Sequence, residues 1–363
     1  MHDDVKQPDI VQVLRTHPMS QRQWLAVAMC VLINMIDGFE ILSAGYTAPA
    51  IATEFGLSPQ ILGSFLSAGP IGMIAGALFL SPIADWIGRR RLVLLCLASA
   101  ATGMAMAAWA DSFSTLFLSR LLTGAGVGAM MVAVNTVVAE VGNDRRRDFA
   151  LVMQATGFPL GGALCGLLAT LVEPGQWRMI YGVGGAAAAV LFPLILWLMP
   201  ESIDFLCARR PAGALRKLQA LARNFGLPAP TEMPAAAVPR TRRNQLSSLA
   251  TPRSIAMCVS FFLMMLSFYF LTSWTPKLLA QAGPSSVALS GAALISAGGV
   301  AGDLAFGALS IRWRAASIGR LFAVACFASA LALGLAASQA ANIGVPAFIL
   351  GFFLYGAMAC HYA

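Results

Sequence analysis

Two carboxylates stand three residues apart in NMIDGFEIL, residues 34–42, a stretch that is otherwise apolar. On a helix, Asp37 and Glu40 project about 60° apart and therefore face the same region. A charged carboxylate inside a bilayer costs roughly 2.5–3.5 kcal/mol, and two neighbouring carboxylates repel each other. Such a pair can hold one proton under some conditions and lose it under others, so the pattern indicates proton-coupling chemistry. Two alternatives remain: both acids satisfy a partner within the protein, or Glu40 reaches water.

A lone arginine, Arg120, lies in a second apolar stretch, LFLSRLLTGAG at residues 116–126. An arginine does not escape the cost of burial by deprotonating, so it must find a carboxylate, a carbonyl or an anionic ligand. We expect it to pair with Asp37 or Glu40 in the empty protein and to offer a two-pronged contact to an organic carboxylate. The alternative is a purely structural ion pair between two helices.

Further polar and aromatic residues in apolar stretches are candidates for contacts with a substrate. Asp303, within GGVAGDLAFG, is open to three roles: a second proton site, a hydrogen-bonding group for the substrate, or a water-exposed structural acid. Aromatic rings suit stacking on a planar ligand, although anchoring at the lipid interface is their commoner fate. With Arg120, the predicted substrate contacts are Asn34, Tyr46, Phe158, Tyr269, Trp274 and Asp303.

Other patterns resemble ligand-binding or reactive motifs but do not indicate that chemistry. GAGVGA, residues 124–129, resembles a dinucleotide-binding loop, yet no strand precedes it and apolar residues surround it. The three histidines lie far apart, and the seven cysteines stand singly. We therefore predict no enzyme activity, no metal site and no cofactor.

These residues must be positioned by helices that cross a membrane. Hydrophobic residues make up 58% of the chain and charged residues 11%, with a mean hydropathy of +0.74, which is outside the range of soluble domains. The polar first 23 residues contain no cleavable signal, so we expect the first helix to be retained. Ten windows suit a spanning helix of about 20 residues: 24–50, 59–83, 92–110, 114–140, 149–172, 178–199, 254–274, 288–311, 319–337 and 344–363.

The distribution of basic residues predicts how these helices are oriented. Most of the 24 Lys and Arg residues, which give a formal net charge of +8, lie before the first window or after the second, fourth, sixth and eighth windows. Cytoplasmic loops carry such an excess, so the N-terminus is predicted to be cytoplasmic. The excess of basic residues therefore indicates how the chain is oriented in the membrane, and it does not indicate a nucleic-acid partner.

The windows divide the chain into two parts joined by a long basic connection. We predict a cytoplasmic segment at 1–23, a six-helix N-terminal bundle at 24–202, a cytoplasmic connecting loop at 203–252, and a C-terminal bundle at 253–363 that ends within its fourth helix. An internal repeat supports this division, because identical residues recur at an offset of 226. The matched positions are Gly72 and Gly298, Ala75 and Ala301, Gly76 and Gly302, and Leu78 and Leu304. The alternative is that Gly-x-x-x-Gly simply recurs wherever membrane helices pack closely.

The connection after the second window, SPIADWIGRRR at residues 81–91, resembles the signature loop of the major facilitator superfamily. The family pattern is Gly-x-x-x-Asp-Arg/Lys-x-Gly-Arg-Arg/Lys, which Ser81 and Trp86 do not match. The resemblance implies an all-α polytopic membrane protein with the major facilitator fold, here a six-helix N-terminal bundle and an incomplete C-terminal bundle of about four helices. It also implies a set of gating residues, which are Asp85, Gly88, Arg89, Arg90, Glu140 and Arg146.

The second half contains a degenerate copy of this loop. At the repeat offset, Gly307 and Arg312 supply the glycine and the basic residue that the first copy lacks, while Ile311 replaces its aspartate. In this fold, such loops form ion pairs between the two bundles that break as the bundles rock about a central site. A basic loop that only fixes orientation is the alternative.

Several shorter segments resemble one branch of the superfamily, the aromatic acid/proton symporters. They are DGFE, SRLLTGAGVGA, Glu140 with the arginines after it, GFPLGGALCGLL, MPES and SWTPKLL. Two features depart from that branch: Glu40 stands where a second aspartate is usual, and the chain ends within its tenth helix where the family has twelve.

The resemblance implies a secondary transporter that imports aromatic carboxylates of the hydroxybenzoate type with protons, by alternating access. Its expected partners are a small organic acid, protons and the lipid bilayer of the inner membrane, and we expect a monomer. One alternative is a carrier of another small substrate, such as a sugar, a dicarboxylate or an exported drug. A non-transporting membrane sensor or remnant is the other.

Overall fold

The computed structural model describes residues 10–234, 251–282, 285–310, 312–338 and 343–361. Ile311 and residues 235–250 of the predicted connecting loop lie outside these ranges. The described residues form helices joined by turns and contain no strand. The α-helices are α1 (Ile10–Thr16), α2 (Gln21–Glu54), α3 (Pro59–Ala75), α4 (Ala84–Ile87), α5 (Arg89–Ala108), α6 (Phe113–Val141), α7 (Arg147–Ala155), α8 (Gly157–Leu171), α9 (Arg178–Leu198), α10 (Ile203–Arg209), α11 (Ala214–Phe225), α12 (Pro252–Ala282), α13 (Ser285–Ser310), α14 (Ala315–Ser338) and α15 (Gly344–Ala359).

Nine stretches of the described helices are long and apolar enough to cross a membrane. They correspond to the first nine predicted windows, and the tenth window forms the shorter apolar helix α15, of 16 residues. A π-helical segment, Gly76–Leu80, and a 3-10 turn, Ser81–Ile83, continue α3 into α4. The all-helical, polytopic fold class predicted from hydropathy is confirmed.

The window at 149–172 was predicted as one helix and forms two, α7 and α8. Pro159 has no N–H to donate to the carbonyl four residues earlier, that of Ala155, so the regular helical bonds are interrupted there. Nδ2 of Asn34 donates instead, at 2.9 Å to the carbonyl of Gln154 and at 3.3 Å to that of Ala155. A side chain of α2 thus satisfies the backbone at the break.

The start of α2 is fixed by a capping box that also reaches a distant helix. Ser20 and Gln23 exchange hydrogen bonds between side chain and backbone, as expected for a helix that begins with a Ser-x-x-Gln sequence. Nε2 of Gln23 also donates to the carbonyl of Val141, the last residue of α6, at 2.8 Å. One side chain therefore satisfies backbone groups at the beginning of α2 and the end of α6.

The glycines of the predicted repeat lie at closely similar helix contacts. A Cβ on Gly72 of α3, or on Gly76 at the start of the π-helical segment, would collide with backbone atoms of α6. A Cβ on Gly298 or Gly302 of α13 would collide with backbone atoms of α15. Glycine at these positions lets the two backbones touch in each pair. Equivalent residues of the two halves therefore make the same kind of helix contact.

Candidate functional site

The centre of the site is an ion pair between α2 and α6. Nη1 of Arg120 contacts Oε1 of Glu40 and also donates to the backbone carbonyl of Glu40 at 3.0 Å. The side chains of Arg120 and Glu40 are 2% and 0% exposed, so both charges are removed from solvent. A buried pair of this kind is held by mutual attraction, and removing either partner leaves an uncompensated charge.

The ion pair leaves hydrogen-bonding capacity unused. Within the described part of the chain, Oε2 of Glu40, Nε of Arg120 and Oδ1 of Asp37 are buried without a hydrogen-bond partner. Asp37 makes no ion pair there, although its residue is only 2% exposed. Unsatisfied polar atoms in a protein interior are costly and mark positions where a ligand, water or proton can add a bond.

Two glycines bring neighbouring helices close to this cluster. A Cβ on Gly69 of α3 would lie 2.9 Å from Nη2 of Arg120, so the absence of a side chain leaves room for the guanidinium. A Cβ on Gly38, between the two acids, would collide with the backbone of Phe158 on α8. The backbone of α8 at Phe158 therefore lies against the carboxylate-bearing segment of α2.

Four aromatic rings form a cluster where α8, α12 and α15 meet. The ring centroid of Phe268 lies 5.7 Å from that of Phe158, 5.5 Å from Tyr269 and 5.1 Å from Tyr355, each in an edge-to-face arrangement. The hydroxyl of Tyr269 also reaches Sδ of Met73 on α3, at 3.3 Å. Such surfaces suit edge or face contacts with another aromatic ring. The cluster joins helices of both halves of the chain.

Two predicted substrate contacts are engaged within the protein, and one lies elsewhere. Asn34 caps the α7–α8 break, and its Oδ1 is buried without a partner. The hydroxyl of Tyr46 is 3.5 Å from that of Ser296 on α13, which connects the two halves. Trp274 packs against a separate hydrophobic cluster at the end of α2, and Nζ of Lys277 lies 5.3 Å from its ring centroid. The structure therefore does not bring Trp274 to the carboxylates.

Asp303 lines a small cavity between the halves. The cavity, of about 20 Å³, has room for one water molecule. Asn34, Asn135 and Tyr355 also line it. The carboxylate of Asp303 is 3% exposed and receives no hydrogen bond or ion pair from the described residues. Of the three roles open to Asp303, this position does not suit a water-exposed structural acid.

The predicted gate residues of the signature loop contact their own half of the chain. Asp85 pairs with Arg89 at 2.8 Å, and its carboxylate is 60% exposed. Gly88 has φ +98°, which explains why glycine ends α4, and a Cβ there would collide with the carboxylate of Glu201. Oε1 of Glu201 accepts from the backbone N–H of Arg90 at 3.1 Å. None of these contacts joins the two bundles.

Glu140 and Arg146 lie at the same end but do not pair with each other. Both carboxylate oxygens of Glu140 accept from the hydroxyl of Ser202, at 2.8 and 2.7 Å. The guanidinium of Arg146 lies 5.9 Å from the ring centroid of Trp24. The sequence segment MPES therefore supplies Glu201 and Ser202 as partners of two predicted gate regions, the signature loop and the end of α6.

Three residues at the site were not predicted: Phe268, Tyr355 and Gly69. Phe268 and Tyr355 lie in uniformly apolar windows, where nothing distinguishes a cavity-lining ring from a lipid-facing one. Gly69 precedes a proline in the second window, and its role follows only from the contact with Arg120. Among the described residues, no three His, Cys, Asp or Glu side chains lie together as metal ligands would.

Comparison with known proteins agrees with this geometry. The family model described as Major Facilitator Superfamily matches residues 27–363. A gallate transporter of Pseudomonas putida is 32% identical, over 96% of this chain and 79% of the relative. The 4-hydroxybenzoate transporter PcaK of Pseudomonas aeruginosa is 28% identical, over 98% and 81%. The 3-(3-hydroxy-phenyl)propionate transporter of Escherichia coli is 29% identical, over 95% and 79%.

Solved structures share the fold. The xylose transporter XylE from E. coli, in a partially occluded inward open conformation, superposes with a TM-score of 0.75. The match covers 94% of this chain and 86% of that chain, with 15% sequence identity. At that identity the likeness concerns the arrangement of the helices and not the ligand.

Proposed function

The chain belongs to the major facilitator superfamily, whose matched relatives are transporters and not enzymes, and from this premise we propose that it imports aromatic carboxylates with protons. The observation that carries the proposal is the buried pair of Arg120 and Glu40 beside an unpaired Asp37. The proposed substrate class is that of hydroxybenzoates, each with a planar ring and one carboxylate.

Charge balance connects the ion pair to proton movement. The empty site has one cation, Arg120, opposite Glu40, and a second acid, Asp37, that is cheapest to bury in its neutral form. A substrate carboxylate that binds Arg120 displaces Glu40 and adds one negative charge to the interior. The excess is removed when the displaced Glu40 takes up a proton, which Asp37 delivers and then regains from solution. Substrate and proton therefore enter together in this mechanism.

The aromatic cluster is proposed to recognise the ring of the substrate, as Arg120 recognises its carboxylate. The rings of Phe158, Phe268, Tyr269 and Tyr355 offer edges and faces to the planar ring of the substrate. Arg120 orients the carboxylate, because its planar fork matches two carboxylate oxygens. A sugar has neither the charge nor the flat face that these groups fit.

Alternating access is the proposed mode of transport. The halves at 24–202 and 253–363 rock about the central site, and the loop at 203–252 joins them in the cytoplasm. Asp85, Arg89, Arg90 and the neighbouring residues act as the gate at the cytoplasmic end. The protein is proposed to act as a monomer in the inner membrane with its N-terminus inside.

Competition in reconstituted vesicles tests the substrate class. The purified chain is reconstituted, and counterflow of labelled 4-hydroxybenzoate is measured with an excess of gallate, benzamide or xylose. We expect the acid gallate to compete and both benzamide and xylose to have little effect. Inhibition by xylose equal to that by gallate would instead favour a sugar carrier. Binding of the acid without counterflow would favour a non-transporting sensor.

A further inference from the structure

A cavity of about 560 Å³ lies at the end of the bundle where α2 and α5 begin and α9 ends, and α11 lines one side of it. Its volume falls within the range of small-molecule sites. Four cationic side chains and one acid are in its wall: Arg22, Arg90, Arg91, Lys217 and Glu201. None of these residues contributes to the central site.

The carboxylate of Glu201 in this cavity already accepts hydrogen bonds from the protein backbone. Oε1 of Glu201 accepts from the backbone N–H groups of Arg90, at 3.1 Å, and Ser202, at 3.0 Å. Glu201 does not neutralise the cations of the cavity. Arg22, Arg91 and Lys217 are exposed and form no ion pair within the described residues. The cavity therefore carries an excess of positive charge that suits an anion.

Arg90, which also lines the cavity, is held by a backbone carbonyl of α9. The guanidinium of Arg90 donates from Nη2 to the carbonyl of Leu196, while its Nε is buried without a hydrogen-bond partner. A buried N–H of a charged group without an acceptor is costly. Arg90 is thus fixed at the wall of the cavity by its bond to the end of α9.

The surroundings of the cavity favour a lipid over a dissolved anion. Trp86 and Trp197 line it and are 75% and 77% exposed, and tryptophan is enriched where spanning helices meet the headgroup layer. Leu95, one turn beyond Arg91 on α5, is 61% exposed. A headgroup in the cavity would thus leave its acyl chains beside an apolar helix surface.

The helix α11 places its cations at the same level. It is amphipathic: Leu218, Leu221 and Phe225 are buried against the bundle, whereas Lys217 is exposed. Glycines with positive φ stand at both ends, Gly213 at +72° and Gly226 at +73°, so the helix is bounded by sharp turns. A short basic helix lying across the end of the bundle is suited to the surface of an anionic leaflet.

We propose that this cavity binds the phosphate headgroup of an anionic phospholipid, with Arg91 and Lys217 as its charged contacts. The site is separate from Arg120, Glu40 and Asp37, so the inference does not depend on which substrate is transported. It requires only that this end of the bundle faces the anionic leaflet, which the basic loops predict.

Native mass spectrometry of the full chain tests the proposal. Wild-type protein in detergent is titrated with phosphatidylglycerol, with phosphatidylcholine and with inorganic phosphate. The test variant is Arg91→Gln with Lys217→Gln. The matched control is Arg216→Gln with Arg223→Gln, which removes the same charge from residues of α11 that do not line the cavity. Thermal unfolding of each protein verifies that it is folded.

We expect phosphatidylglycerol to bind wild type and control alike, and to bind the test variant about 30-fold more weakly, about fivefold per charge. Single variants at Arg91 and Lys217 should bind phosphatidylglycerol with affinities between those of wild type and the test variant. Equal weakening in the test and control variants would overturn the proposal, because the attraction would then be non-specific. Displacement of the lipid by inorganic phosphate at equal concentration would also overturn it and assign the cavity to a dissolved anion.

Discussion

Gly69 leaves the space that the guanidinium of Arg120 occupies, since a Cβ at position 69 would lie 2.9 Å from Nη2. The contact joins α3 to the ion pair between α2 and α6. Any side chain at position 69 forces the guanidinium to shift. The position of the proposed carboxylate receptor therefore depends on a residue that has no side chain.

Gly69→Ala should consequently weaken binding of aromatic acids. A shift that costs one of the two hydrogen bonds to the substrate, about 1 kcal/mol, raises Kd about fivefold. The measurement is the Kd of 4-hydroxybenzoate for the purified variant. Gly182→Ala is the matched control, because nothing lies within 4 Å of a Cβ at that helical glycine. If both variants bind 4-hydroxybenzoate with equal affinity, the position of the Arg120 guanidinium does not control substrate binding.

Arg120→Lys separates substrate recognition from packing. Lysine keeps the charge but loses the planar two-pronged geometry, so binding of an aromatic acid should weaken by about 1.5–3 kcal/mol. The corresponding amide, which carries no charge, should be almost unaffected. Titration calorimetry with both ligands at one pH gives the comparison. An equal shift for acid and amide would remove Arg120 from the substrate site.

Asp37→Asn should abolish accumulation against a gradient and leave counterflow. Asparagine has the same size but does not exchange a proton, so the proposed coupling is lost while Arg120 remains available to the substrate. Uptake driven by an imposed proton gradient is measured in vesicles, with Glu173→Gln as a control for loss of an exposed acid. Full proton-driven accumulation by the Asp37 variant would refute its assignment as the coupling residue.

Asp85→Asn should slow turnover more than it weakens binding. Asp85 lies in α4 and its side chain pairs with Arg89 at the start of α5, whereas Arg120 pairs with Glu40. Rates of counterflow and the Kd of the substrate are compared between this variant and Asp148→Asn, which changes an exposed acid in the first turn of α7. A selective loss of affinity with normal turnover would argue against a gating role.

Asn34→Ala should destabilise the protein. The substitution leaves the carbonyl of Ala155 without a donor, because Pro159 has no N–H, and an unsatisfied buried group costs about 1–3 kcal/mol. Thr102→Val is the comparison, since that hydroxyl bonds only its own helix on an exposed face. The apparent Tm in detergent should fall for the Asn34 variant alone. Unchanged Tm values would mean that water replaces the amide.

The charged residues of the site were predictable, because a charge in an apolar window has few structural explanations. Asp37, Glu40 and Arg120 were identified in this way, but the choice of Glu40 as the partner depends on the rotation of α2 against α6, which periodicity does not specify. The break after Ala155 was missed although Pro159 signals it, because hydropathy continues unbroken across it. Phe268 and Tyr355 carried no distinguishing signal, since other aromatic residues of the same helices, such as Phe270 and Phe348, are exposed on the surface of the bundle.

The double role of Gln23 has a consequence for the order in which the chain assembles. Its amide bonds the end of α6, 118 residues further along the chain. At a synthesis rate of about 5–20 residues per second, Val141 is made roughly 6–24 s after Gln23. During that interval the first membrane helix has its local capping box but not its bond to the fourth. Biogenesis therefore passes through a stage in which the start of α2 is capped only by its own turn and is completed when α6 arrives.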